Sequence, residues 1–210
     1  EISACLVGSE MCIRDRKEVV NAEIEILTEM GVEFRCGVEV GKDVTIAQLR
    51  EQGYRGFYVA IGTQKSAAIR CPGETLTGVL GGVDFLRSVN LGEQPDIGKA
   101  VAVIGGGNVA MDAARCAKRL GADVTVVYRR GEEEIPARKE EYEHAKEEGI
   151  NFHLLCNPVE ILADDKGWVR GLKCIRMELG EPDEKGRRRP MPVEGSNFVL
   201  EVDAMIDALG

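Results

Sequence analysis

One stretch constrains this chain more than any other: Val101-Ala-Val-Ile-Gly-Gly-Gly-Asn-Val-Ala-Met-Asp112. Ala100–Ile104 is an unbroken apolar run, which reads as a strand buried on both faces. Asn108–Leu120 has helical character, and Gly121 closes it. Between them, Gly105, Gly107 and Ala110 occupy the G-x-G-x-x-G/A positions of a dinucleotide fingerprint. Gly105 allows the tight turn, Gly107 lets backbone approach a pyrophosphate, and Ala110 keeps helix close to strand. The pyrophosphate charge would sit at the helix N-terminus. A lone glycine fingerprint is a weak signal. Here the strand before it and the helix after it supply the required context, and the alternative is a non-binding α/β turn.

The next strand is Val124-Thr-Val-Val-Tyr128, followed by Arg129 and Arg130. An NAD site usually places Asp or Glu near this point to hold the ribose 2′-hydroxyl. A pair of guanidiniums suits a 2′-phosphate instead, so the sequence points to NADP(H). The alternative is two solvated arginines at a strand end.

The 210 residues suffice for one large or two small domains. A net charge of −9 argues against a nucleic-acid partner. The one dense basic run, Lys185-Gly-Arg-Arg-Arg189, lies between Pro182 and Pro190 and reads as a solvated loop tip. No apolar run approaches membrane-spanning length. Seven cysteines are scattered without a C-x-x-C pair. That pattern suggests a reducing, cytoplasmic setting, with no disulfide framework, zinc site or cluster site.

Residues 1–16 stand apart. Leu6–Arg16 resembles translated adapter sequence, and we expect residues 1–16 to be non-native, against the alternative of an ordinary N-terminal arm. From Lys17, the apolar face of Val20, Ile24 and Leu27 predicts a helix ended by Gly31. Val32–Phe34 and Val38–Val40 read as short strands. Thr45 and Gln48 form a capping box for a helix through Gln52. Phe57–Gly62 reads as a buried strand, and Val83–Val89 as a short helix. Arg138–Glu148 reads as a charged helix with a mostly solvated face and no catalytic pair. Asn151–Cys156 reads as one strand. Val159–Leu162, Val169–Leu179 and Ser196–Val202 predict an antiparallel meander, with polar turns at Asp164–Gly167 and Gly180–Arg189. Ala204–Gly210 is a last apolar strand. Its end, like that of Val59–Gly62, reads Ala-(Ile/Leu)-Gly. Two such strands flanking the nucleotide unit suit a domain inserted into another domain.

Taken together, Glu18–Leu27, Ala60–Thr63, Asp84–Arg87, Gly105–Arg115, Val126–Arg130, Ile135–Ala137 and Ala145–Gly149 carry a resemblance. From Lys17 to Gly210 the chain resembles the NADPH-dependent glutamate synthase small-subunit (β-chain) family of FAD/NAD(P)-binding oxidoreductases. The resemblance implies an α/β fold: a Rossmann-like NAD(P)-binding domain, parallel sheet plus antiparallel meander, inserted in an incomplete FAD-binding domain. It implies residues 17–70 as the tail of a first FAD segment, 71–203 as the NADPH domain, and 204–210 as the start of the return. It further implies a longer parent holding FAD and, in a cysteine-rich segment absent from this chain, iron–sulfur centres. By this reading the chain is a fragment, does not retain FAD and is inactive by itself.

The implied activity is NADPH oxidation, with electrons passing through FAD and iron–sulfur centres to a partner. That partner is a large glutamate synthase-type subunit or another acceptor, with no nucleic acid or membrane involved. The same module occurs in ferredoxin-linked oxidoreductases and dihydropyrimidine dehydrogenase. Gly105, Gly106, Gly107, Asn108, Val109 and Ala110 are expected to cradle the NADPH pyrophosphate. Arg129 and Arg130 are expected to hold the 2′-phosphate, with Arg138 a third candidate. Gly62 and Thr63 belong to the crossing that faces the cofactors. Glu134 and Pro136 are expected to shape a loop, and Asp112 to be structural. No residue is assigned a catalytic role, because the cofactors carry the chemistry. His144 and His153 read as surface or strand histidines. Two other readings remain open: a non-catalytic dinucleotide-sensing module, and a dehydrogenase with its own substrate domain. The paired strands disfavour the first. The second lacks a catalytic Lys, Tyr or His in the meander.

Overall fold

A computed structural model describes residues 17–62, 68–184 and 186–209. Residues 1–16 and Thr63 lie outside the described residues. Residues 17–62 and 68–209 belong to two separate compact units.

In the first unit, α1 spans Lys17–Glu29 and α2 spans Ile46–Glu51. Gly31, at φ +89°, follows α1 in the left-handed conformation that glycine adopts at low cost. The Thr45 hydroxyl accepts from the Gln48 amide at 3.2 Å, and the Gln48 side chain accepts from the Thr45 amide at 2.8 Å. This reciprocal pair makes even a short helix definite. The strands expected at Val32–Phe34, Val38–Val40 and Phe57–Gly62 do not form. Only an isolated bridge joins Val40 to Val44. A strand needs a neighbour along its length to take its amides and carbonyls, and 57–62 is not part of any sheet among the described residues. Tyr58 is 94% exposed and Ile61 77%.

The second unit is built on a five-stranded parallel sheet. Its strands are β1 (Val79–Gly81), β2 (Ala100–Ile104), β3 (Asp123–Tyr128), β4 (Asn151–Leu154) and β9 (Ala204–Asp207). The order is β1-β9-β2-β3-β4. Helices α3 (Gly82–Asn90), α4 (Asn108–Arg119) and α5 (Lys139–Glu147) pack on one face. The other face carries an antiparallel sheet of β5 (Cys156–Ala163), β6 (Val169–Pro182), β7 (Arg188–Pro192) and β8 (Phe198–Glu201). In that sheet the long β6 pairs with β5, β7 and β8.

The side-chain period of two divides β2 between these layers. Val101 and Val103 pack with Phe85, Leu86, Met111 and Ala114 on the helical side. Ala102 and Ile104 pack with Ile161, Val169, Leu172 and Cys174 on the antiparallel side. Coverage of both faces explains why the strand sequences run apolar without alternation.

Three expectations change here. The strand expected to begin a return out of the 71–203 domain adds to that domain's parallel sheet: β9 lies between β1 and β2 and is buried throughout. Parallel pairing demands a crossover, and the whole antiparallel sheet serves as that crossover. The single strand expected at Asn151–Cys156 breaks at Leu155, whose φ is +52°. The Leu155 amide donates to the Arg130 carbonyl at 3.0 Å, and its carbonyl accepts from Met177 at 2.7 Å. These bonds hold the kink that turns the chain from one sheet to the other. The meander gains β7, which starts inside the expected polar turn Gly180–Arg189 and runs on to Pro192, while β6 extends to Pro182.

Candidate nucleotide-binding cleft

β3 and β9 lie on opposite sides of β2, so the connections leaving β2 and reaching β9 diverge at its carboxyl end. Open α/β sheets bind ligands at this switch point. The Gly105 amide donates to the Val127 carbonyl at 3.1 Å, and the Ala208 amide donates to the Ile104 carbonyl at 2.9 Å. The turn is thereby fixed between the ends of β3 and β9. Gly105 has φ +141°, and a Cβ there would lie 2.6 Å from the Ala208 carbonyl oxygen. A Cβ on Gly106 would meet the Tyr128 ring at 2.8 Å. A Cβ on Gly107 would meet nothing within 4 Å. Two glycines are thus required by the fold, while the third faces open space at the N-cap of α4.

That space is a cleft of about 770 Å³, within the usual range for a small-molecule or cofactor site. Gly105, Gly106, Gly107, Asn108, Val109, Arg129 and Arg130 all line it. Ala110 is fully buried and supports the turn from behind, with its Cβ 3.3 Å from where a Gly105 Cβ would stand. The first amides of α4 have no carbonyl to pair with inside the helix, so this wall attracts negative charge. Arg138 is not among the residues lining the cleft. Its amide donates to Asn108 Oδ1 at 3.0 Å, and the Ala137 amide donates to the Gly106 carbonyl at 3.1 Å. The segment before α5 is so tied to the fingerprint. Gly62 lies in the other unit at φ +64°.

At the β3 end, Arg129 is exposed and Arg130 half-buried. Neither guanidinium makes an ion pair among the described residues, and Arg130 Nε is buried with no hydrogen-bond partner. An orphaned buried donor is costly, and an anion in the cleft would remove that cost. Tyr128 stands beside them, its hydroxyl donating to the Glu134 carbonyl at 2.7 Å. Burial pushes that hydroxyl's pKa up, against the Arg130 and Arg129 charges.

Sequence reasoning missed the wall formed by Asp207, Ala208 and Leu209 and the segment Cys156–Pro158. Asp207 carried a usable signal, as the one charge within the apolar run Ala204–Gly210. It is 6% exposed, and its carboxylate accepts from the Leu209 amide at 3.2 Å. Burial pushes the Asp207 carboxyl up, opposed by the Leu209 and Ile69 amides. Cys174 is fully buried and its thiol is pushed up to about 12 by burial, with Cys156 and Cys71 nearby adding to the shift. It therefore stays a thiol. His144 and His153 are exposed and outside the cleft lining.

One surface reading needs correction and one gains a detail. The basic run is not simply solvated: Arg188 Nε donates to Glu134 Oε1 at 2.8 Å. The α5 face is not wholly solvated either. Arg115, 7% exposed, pairs with Glu141 at 2.9 Å and Glu148 at 2.7 Å. In both cases the partner comes from a distant element, so no local spacing could reveal it. Among the described residues, no helix is long and apolar enough to cross a membrane.

The comparisons agree with this architecture. The family model of the pyridine nucleotide-disulphide oxidoreductases matches residues 10–210. The chain is 43% identical over 198 residues to the NADP(+)-dependent formate dehydrogenase subunit beta of Moorella thermoacetica, covering 92% of this chain and 28% of that one. It is 38% identical over 222 residues to the glutamate synthase [NADPH] small chain of Escherichia coli K12, covering 100% of this chain and 47% of that one. It thus spans less than half of each relative. Mycobacterium tuberculosis FprA, solved in complex with NADPH, superposes with a TM-score of 0.74 over 92% of this chain and 58% of FprA, at 20% identity. That likeness is one of fold. With a parallel sheet, a glycine turn at its switch point and relatives of this kind, the chain belongs to the pyridine nucleotide-disulphide oxidoreductase family.

Proposed function

We propose that this chain is the NADPH-holding part of a flavin-dependent oxidoreductase that passes electrons from NADPH through FAD, and through iron–sulfur centres elsewhere in a longer protein, to a partner. The observation that carries the reading is the pairing of an open Gly107 at the N-terminus of α4 with two arginines at the end of β3 that make no ion pair among the described residues. Gly105 to Val109 line the pyrophosphate end, with Ala110 behind them. Arg129 and Arg130 take the 2′-phosphate, Arg130 Nε gaining the partner it lacks. NADPH, when bound, supplies a hydride to the flavin. The residues here bind and orient it, and none is assigned a chemical step.

Residues 17–62 belong, in this reading, with the flavin-binding part. What supports this is that no side chain from Glu18 to Gly62 is buried, although Val20, Ile24, Tyr58 and Val59 are apolar. Gly62 and, by the family resemblance, Thr63 are assigned to the flavin-side segment. The acceptor is a large glutamate synthase-type subunit, in a cytoplasmic setting. The small chains of Halomonas elongata and Escherichia coli, at 42% and 38% identity, support that choice. The formate dehydrogenase subunit keeps a different acceptor open.

Calorimetric titration of NADPH and NADH into the 210-residue chain tests the site. NADPH should bind tighter by ~1–3 kcal/mol, about one charge-assisted contact. Arg129→Ala should remove most of that preference. Equal loss for both nucleotides would overturn the assignment of Arg129 to the 2′-phosphate.

A further inference from the structure

The sequence puts three carboxylates, Glu132, Glu133 and Glu134, directly after Arg129, Arg130 and Gly131. Carboxylates this close in sequence are within reach of the two arginines, and opposite charges at short range attract, so they are potential competitors of a phosphate. The structure pairs each glutamate elsewhere. Glu132 meets Lys146 at 3.5 Å. Glu133 and Glu134 both meet Arg188, on β7 of the antiparallel sheet. Arg188 Nε donates to Glu134 Oε1 at 2.8 Å, and its Nη2 donates to Glu133 at 3.1 Å and also to Glu134. The other Glu134 oxygen accepts from the Gly131 amide at 3.1 Å. The Glu134 side chain is 15% exposed, so this carboxylate is screened little by water. Arg188 is itself set by its hairpin, where Asp183 takes the Arg187 amide at 2.8 Å. The competition is local: the Tyr128 hydroxyl feels Arg130, Arg129 and Glu134 together.

We propose that Arg188 is a positioning residue for nucleotide selectivity: by holding the carboxylates of Glu133 and Glu134, it keeps them from neutralising Arg129 and Arg130. Arg188 is not among the residues lining the cleft, and the proposal assigns it no contact with the nucleotide. Selectivity for the 2′-phosphate then depends on the hairpin between β6 and β7 as well as on β3. This rests on the assignment of Arg129 and Arg130 to the phosphate.

The test is the ratio of NADPH to NADH affinity of the 210-residue chain, measured by calorimetry. Arg188→Ala should lower that ratio by about 5-fold, the scale of one partly exposed charge interaction. NADH affinity should change less than about twofold. Adding Glu133→Gln and Glu134→Gln to Arg188→Ala should restore the ratio. The competing charges are then gone, while the side-chain oxygen kept by Glu134→Gln can still accept from the Gly131 amide. A purely structural pin would not be rescued this way. If Arg188→Ala melts, Arg188→Gln should give the same selective loss in a folded chain. An unchanged ratio in Arg188→Ala, with Arg129→Ala selective, overturns the proposal alone. So does a loss that the two glutamines do not restore. A non-selective Arg129→Ala, or a folded wild-type chain that binds neither nucleotide, overturns the site assignment and the proposal with it.

Discussion

At the scale of single residues, the fingerprint glycines separate folding from binding. Gly105→Ala would force a Cβ to 2.6 Å from the Ala208 carbonyl at φ +141°. We predict a loss of about 2 kcal/mol or more, read as a lowered midpoint in urea. Gly107→Ala meets no atom within 4 Å and has an ordinary φ of −85°. Its midpoint should stay at the wild-type value, while NADPH affinity falls at least about tenfold, because the methyl takes the phosphate's place. Asp207 offers a third test. Its folded carboxyl is pushed up by burial, so its neutral form contributes stability below the ordinary value of 3.8 that is lost as pH rises through the raised value. Asp207→Asn cannot ionise and should melt at a higher temperature than wild type at neutral pH. The gain should vanish as the pH falls below 3.8.

Between elements, the Arg115 cluster fastens α4 to α5. Burial alone would raise the Glu148 carboxyl, but hydrogen bonds and charge from Arg119 and Arg115 outweigh it and hold the pKa below the ordinary value. Arg115→Met should cost about 2–4 kcal/mol in chemical unfolding, since Glu141 and Glu148 lose a partly buried cation. The sign follows from the lowered value: the contribution is present above pH 4.5 and is lost as pH falls through the folded pKa. The difference between wild type and Arg115→Met should therefore shrink in acid. Sequence periodicity identified α3, α4, β2 and β3 because both their ends carry glycine or capping signals. It could not find the Leu155 kink, which depends on backbone partners Arg130, just past β3, and Met177, in β6.

Across the whole molecule, the two units differ in how much they bury. No side chain from Glu18 to Gly62 is buried, whereas β2 and β9 are almost wholly so and α4 is buried from Ala110 to Ala117. Limited trypsin digestion should cut at Arg35, Arg50 or Arg55 before it cuts within β2 to β4, as mass spectrometry of the products would reveal. Cleavage starting in the parallel sheet would contradict this. Residue order and spacing are enough to specify the β2–turn–α4 unit, the capping box of α2 and the run Gly105–Val109 that lines the cleft. These rest on interactions a few residues apart, where spacing dictates geometry. Long-range packing was needed to establish that β9 completes the parallel sheet, that Asp207 lines the cleft, that Phe57–Gly62 forms no strand, and that Arg188 holds Glu134 from 54 residues away. Each of these depends on which distant segment supplies a partner, and a pattern of apolar or charged residues records the need for a partner without naming it.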